Sequence, residues 1–218
     1  MKVFVVAMDC EADAVVRRIE NVRTETMFGR KVFRGTLGGE QTAVIAAGIG
    51  KVNAAAATQL ALSSLGADSI LNVGVAGGLD PKLCVGDLLR VARVVQYDFD
   101  LSKINGTPVG TLNEYKTPFF ELAVSPGEWP EATVATGDRF ADGEEIVSFL
   151  RRTFGANVCE MELGAIAHVC RRAGVPAHSW KLISDVAGSG TQAEQYKKNL
   201  ERCLERLSAS IPQMFASL

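Results

Sequence analysis

The chain has 218 residues, 47% of them hydrophobic and 22% charged, with a formal net charge of −2. That is the balance of a soluble globular protein long enough to bury a sizeable core, and it predicts one domain over residues 1–218. It leaves no basic field to hold a nucleic acid, and no apolar run approaches the ~18 residues of a membrane span.

In chain order, Val3–Ala7 is a β-rich apolar run that stops at Asp9 and Glu11. It lacks the length and cleavage site of a signal peptide and reads as a first strand. Glu11–Glu20 has helical spacing, with Ala12, Val15, Val16 and Ile19 on one face. Met27–Gly35 and Gln41–Gly48 read as strands around the turn Gly38-Gly39. Gly48-Ile49-Gly50-Lys51 then opens an Ala-rich helix, Val52–Leu65. Ser69–Val73 is a buried strand running into Gly74-Val75-Ala76-Gly77-Gly78, and Leu88–Val95 is another β-rich run. Ser102–Trp129 is the least regular stretch and reads as a long surface loop. Thr133–Thr136 is a strand ending at Gly137-Asp138, and Glu144–Phe154 is helical. Met161–Ala173 is a helix stopped by Gly174, with Pro176 beyond. Ala177–Ile183 is a strand ending at Asp185, and Ala193–Ser210 is an amphipathic terminal helix that stops before Pro212. Strands alternating with helices imply crossover connections. The fold class is α/β, a three-layer sandwich with a central, mostly parallel (mixed) twisted sheet covered on both faces.

The five cysteines are scattered and form no C-x-x-C pair, and there are two histidines. This points to a reducing, cytoplasmic setting, and to neither a disulfide framework nor a metal centre. No cofactor is expected. The GIGK turn fits neither nucleotide fingerprint, because Val52 and Asn53 stand where a P-loop hydroxyl and a third glycine belong. The glycine-rich Gly74–Gly78 reads equally as a plain turn or as a ligand-lining loop. Phe140 is either a local packing plug or a stacking surface for a planar ligand. His168 reads as a packed helix residue.

Three acids carry more information. Glu162 sits where an apolar run turns into a helix, Asp185 ends a strand, and Glu11 opens the first helix. Each has a simple reading as a helix-end carboxylate. Their common place, the carboxyl edge of an α/β sheet, is where ligands bind. Three acids gathered in one cleft push their pKa values apart and supply both an acid and a base near neutral pH.

Five stretches, in order and spacing, resemble the purine nucleoside phosphorylase superfamily, and most closely its methylthioadenosine/S-adenosylhomocysteine nucleosidases. They are Ala7-Met8-Asp9-Cys10-Glu11, Gly48–Val52, Asn72–Leu79, Thr136-Gly137-Asp138-Arg139-Phe140, and Glu160-Met161-Glu162 with Ile183–Ala187. The resemblance implies a hydrolase of 5′-modified adenosines. Asp185 would protonate the leaving purine and Glu11 would activate water. Glu162, with the backbone of Met161, would hold the ribose hydroxyls. Phe140 would stack on the purine, the Ala141 backbone would bond its edge, and Gly77 would line the sugar end. Ser184 belongs to the same binding set. Met8 and Ile49 would line the 5′ pocket, which a neighbouring subunit completes, so a homodimer with a shared active site is implied. The partner is thus a small-molecule nucleoside. The sister phosphorylases hold phosphate with arginines, but Asn72 and Glu11 stand at the matching places here. Two departures stand out: Val75 replaces a small polar residue, and Thr117–Pro130 is short and lacks a helix. The rival readings are another purine nucleosidase such as a futalosine hydrolase, a phosphate-dependent phosphorylase, and a catalytically weak nucleoside-binding protein. Glu160 has no assigned part and reads as structural, and Tyr196 on the terminal helix is a candidate cap on the 5′ pocket.

Overall fold

The computed structural model describes residues 1–187 and 191–218. In chain order the elements are β1 (Lys2–Val6), α1 (Asp9–Val16), β2 (Glu20–Met27), β3 (Arg30–Leu37), β4 (Glu40–Ala46), α2 (Lys51–Ser64), β5 (Ser69–Gly78) and β6 (Leu88–Gln96). There follow α3 (Ser102–Asn105), β7 (Phe119–Glu121), β8 (Glu131–Thr136), α4 (Glu144–Phe154), β9 (Val158–Glu160), α5 (Leu163–Ala173), β10 (Ala177–Val186) and α6 (Gln192–Ala216). The strands join one sheet in the order β10-β6-β8-β9-β5-β1-β4-β3-β2, with β7 on β6. A further β10–β5 pairing closes the first half of this path on itself.

The sheet is mixed, as its sequence pattern implies. The central pairs β1–β4, β1–β5 and β5–β10 are parallel, while the β2-β3-β4 end is antiparallel. Parallel strands are buried on both faces and read as unbroken apolar runs, and Phe4, Ile70, Leu71, Trp180 and Leu182 are fully buried. On one face β1, β4 and β5 pack against α2 and α5 through Val3, Ile45, Ala57, Ile70 and Ile166. On the other, Phe4, Val44, Val73 and Trp180 pack against α1 and α6 through Ala12, Val15, Leu207, Ile211 and Met214.

Four expectations need correction. Met27–Gly35 is not one strand. It contains a tight turn, with Phe28 and Gly29 at φ 48° and 76°, that joins β2 to β3. β2 escapes a pattern search because it is almost wholly exposed and carries little apolar alternation. Ser102–Trp129 is broken by the single turn α3 and by β7, which pairs with β6. The helix expected from Met161 begins at Leu163. The terminal helix runs through Pro212 to Ala216. Proline cannot donate to the carbonyl four residues back. Here that carbonyl, of Ser208, accepts from Arg18 Nε at 3.0 Å, so it is not left without a donor.

Candidate active site

The carboxyl ends of β1, β5, β9 and β10 open into a cavity of about 350 Å³. Glu11, Asp185, Met8, Ile49, Gly77, Phe140, Ala141, Met161, Glu162 and Ser184 all line it. Residues from opposite ends of the chain meet there because β5 pairs with both β1 and β10.

Glu11 is in the first turn of α1 and only 3% exposed. Its Oε2 accepts from the backbone N–H of Ala7 and Met8, each at 3.1 Å, and its Oε1 accepts from Val75 N at 2.9 Å. The carboxylate lies in space vacated by Gly74, where an added Cβ would stand 3.0 Å from Glu11 Cδ. Burial pushes its pKa up, and the charge of Lys181 and the three N–H donors oppose that.

Glu162 precedes α5 and accepts from Gly50 N at 2.8 Å through Oε1. Burial first, and the charge of Glu160 second, push it up to about 7, with Lys181 and the Gly50 N–H opposing. Glu160 has the structural part that its apolar surroundings demand. Its Oε2 accepts from Glu162 N at 3.1 Å, Leu163 N at 2.9 Å and Lys181 Nζ at 3.0 Å, and its Oε1 accepts from the Thr136 hydroxyl. It therefore closes the start of α5 and sets where Glu162 stands. Gly164 lets α5 approach β6 and β8, since a Cβ there would lie 2.6 Å from Gln96 Cγ and 3.0 Å from Thr136 Cβ.

Asp185 is brought in by a bulge. β10 pairs Ile183 with Ala76 and then Asp185 with Gly77, so Ser184 is the extra residue. A bulge re-aims the side chain that follows it. The Ser184 hydroxyl donates to Asp185 Oδ1 at 2.6 Å, whereas Oδ2 is buried with no hydrogen-bond partner among the described residues. Gly77 makes room, because a Cβ there would lie 3.1 Å from Oδ2. Burial raises the Asp185 pKa, opposed by Ser184 and the neighbouring Gln192 amide. An unpartnered carboxyl oxygen in a dry place favours the protonated acid.

The glycine-rich segment of β5 is thus strand rather than loop, and it lines the ligand space as well. Gly48 and Gly50 have φ of 91° and 99°, and their turn is fastened to the loop after β8 by Lys51 N donating to Asp138 Oδ1 at 2.8 Å. That loop holds Phe140, 47% exposed at the rim, and the buried Ala141. Val75 adds an apolar wall while its N–H holds Glu11. His168 stacks on Phe120 away from the cavity, as a packed residue does. Asn72 does not line the cavity; it bonds Val5 O and the Ser179 hydroxyl.

Tyr196, the candidate cap on the 5′ pocket, lines the wall and donates to Met8 Sδ at 3.3 Å. Sequence reading missed other wall residues: Cys159, Gln192 and Lys197. It also missed Lys181, a buried cation behind the wall. The available signal was a lysine inside the otherwise apolar stretch Trp180–Ile183.

A family model described as the phosphorylase superfamily matches residues 2–216. A 5′-methylthioadenosine/S-adenosylhomocysteine nucleosidase from Tolumonas auensis is 32% identical over 232 residues, covering 100% of both chains. Among solved structures, a nucleosidase of the same description from Colwellia psychrerythraea, in complex with adenine, has a TM-score of 0.92 at 27% identity, covering 100% of this chain and 96% of that one. The futalosine hydrolase of Helicobacter pylori has a TM-score of 0.91 at 26% identity, covering 100% and 98%.

Proposed function

Because the chain belongs to the phosphorylase superfamily, and within it to the methylthioadenosine/S-adenosylhomocysteine nucleosidases, a family of N-ribosyl hydrolases, we propose that it hydrolyses 5′-modified adenosines with Glu11 as base and Asp185 as acid. The observation that carries this reading is the contrast between two buried carboxyl groups on one wall. Glu11 is held as an acceptor by three N–H groups, the environment of a working base. Asp185 keeps one buried oxygen without a partner among the described residues, the environment of a proton-carrying acid. Burial raises both carboxyls, and it is their hydrogen bonding, three donors on Glu11 against a hydroxyl on one oxygen of Asp185, that supports the base and acid roles.

Cleavage of the N-glycosidic bond leaves an oxocarbenium-like sugar. Asp185 gives its proton to the departing purine, which takes the bonding electron pair. Water adds to the sugar carbon and its proton passes to Glu11. Each transfer contributes roughly 10²–10⁴-fold. Glu162 and the Met161 backbone hold the ribose hydroxyls, and carboxylate charge near the sugar steadies the developing cation. Phe140 stacks on the purine, the Ala141 backbone meets its edge, and Gly77 and Ser184 keep the sugar end close to Asp185. Met8 and Ile49 line the pocket for the 5′ group, which a second copy of the chain completes in a cytoplasmic homodimer.

Water rather than phosphate is the nucleophile on electrostatic grounds. The wall carries the carboxyls of Glu11, Glu160 and Glu162 against Arg139 and Lys197, a poor setting for a dianion. Incubation with methylthioadenosine, with and without phosphate, tests this. Adenine release independent of phosphate is expected. Release only with phosphate, or binding without release, refutes it. The structural likeness to a futalosine hydrolase favours one second reading, and faster release of base from futalosine than from methylthioadenosine would establish it.

A further inference from the structure

Lys181 has no part in the reaction as described, yet it is one of the most deeply placed charges in the chain. It is 2% exposed and lies in β10 among Trp180, Leu182 and Ile183, all fully buried. Its Nζ meets Glu160 Oε2 at 3.0 Å, and both side chains of that pair are 3% exposed. An isolated buried ammonium would lose its proton or exclude itself from the core, so the site needs strong anionic partners.

Those partners converge from three elements. In the parallel ladder Lys181 is the direct partner of Gly74, and paired residues project to the same face. That face at Gly74 is filled by the Glu11 carboxylate. Glu160 is bonded to Lys181 directly. Glu160 also accepts from Glu162 N. Glu160 is thus paired with Lys181, and Glu11 and Glu162 feel the same cation. The other titratable neighbours of this cluster are Cys10 on α1 and Tyr196 on α6, with Asp185, Arg139 and Lys197 on the same cavity wall. Burial raises Cys10 and Tyr196, so both are uncharged in the acid range, and Lys181 is the cation in direct contact with the cluster.

We propose that Lys181 is a positioning residue for the hydrolysis: out of substrate's reach, it is the counter-charge around which Glu11, Glu160 and Glu162 are assembled and by which Glu11 is kept ionised to take a proton from water. This rests on the reading of Glu11 as the base. The geometry distinguishes it from a packing role. A packing residue affects how much protein folds, whereas a counter-charge sets the pH at which Glu11 becomes active. Lys181 is the largest influence opposing burial at Glu11, and it opposes burial at Glu162 as well.

The test is the pH profile of kcat/KM for adenine release by Lys181→Met and Lys181→Arg. An opposite charge beside a carboxyl lowers its pKa by about 1–3 units. Removing it in K181M moves the acid limb to higher pH by about that much, while K181R restores the limb towards the wild-type position. The shape of the profile does not depend on the fraction folded. If K181M does not fold, the pair Glu160→Gln with Lys181→Met removes both buried charges together and is read in the same way. An acid limb that stays within about 0.3 units of wild type in the lysine-free protein overturns the proposal, 0.3 being small against the 1–3 expected. Glu11→Gln is measured alongside. If that variant remains active, the reading of Glu11 as base fails. If it is inactive and the limb is unmoved in K181M, only the role of Lys181 fails.

Discussion

Gly74→Ala separates catalysis from stability at a single atom. Gly74 needs no unusual backbone, since its φ is not positive. An added Cβ would sit 3.0 Å from Glu11 Cδ and nearer still to Oε1. Carbon atoms in contact rest at about 3.5–4.0 Å, so the carboxylate must retreat by roughly 0.5–1 Å. The end of a side chain gives way more readily than a strand, so the backbone stays. The bond from Val75 N, 2.9 Å in the native protein, is weakened. Its loss destabilises by about 1.5–3 kcal/mol for a charged acceptor. The stiffer unfolded chain of alanine offsets about 0.4–1 kcal/mol of that. At about 2–4 °C per kcal/mol for a chain of this size, Tm falls by no more than several degrees. The rate suffers more, because a misplacement of about 1 Å costs on the order of 10²-fold. The assay is steady-state adenine release from methylthioadenosine without phosphate, beside a thermal melt of the same sample. A kcat within threefold of wild type would show that Glu11's position does not govern the reaction, and would refute this reasoning.

Three further outcomes follow from the buried titrating groups. Asp185→Asn keeps the Ser184 contact but has no proton to give, so kcat falls by about 10²–10⁴ with KM little changed; a large rise in KM with kcat intact would assign Asp185 to binding instead. Glu162 has an unfolded value of 4.5 and a folded value of about 7, so its folded form favours the proton. The stability it contributes is full below 4.5 and is lost as pH rises through about 7. Glu162→Gln keeps an acceptor for Gly50 N and cannot ionise, so it melts several degrees above wild type at pH 8 and level with it at pH 4, while KM rises; equal melting at both pH values would show that the folded carboxyl is not strained. His178 runs the other way. Burial first, and the Lys2 charge second, push it down to about 4 from 6.5, with Ser125 Oγ 2.7 Å from Nδ1. Between those values the unfolded chain binds the proton more tightly, so stability declines as pH falls from 6.5 to about 4. His178→Gln flattens that decline in urea unfolding, and an unchanged slope would exclude His178 as its source.

Much of the architecture is legible because its signals are local. The apolar runs of β1, β5 and β10 are long because parallel strands are buried on both faces. The helix Glu144–Phe154 is readable to the residue, with Gly143 before it and Gly155 at its left-handed end. β2 is not readable, because an exposed edge strand owes its existence to its hairpin partner and not to its own pattern. The passage of α6 through Pro212 depends on Arg18, 190 positions from Ser208.

The candidate site divides in the same way. By itself the sequence determined which acids stand at the ends of apolar runs, and so that Glu11, Glu162 and Asp185 share one sheet edge. Such positions are set by the order of elements, which residue patterns report. Only the tertiary structure decided how each acid is held. The bulge at Ser184 aims Asp185, the missing Cβ of Gly74 admits Glu11, and Glu160 is spent on closing α5. Lys181 becomes the neighbour of Gly74 only through strand register. Charge partners more than a hundred residues apart are a product of that register, and no local pattern carries it.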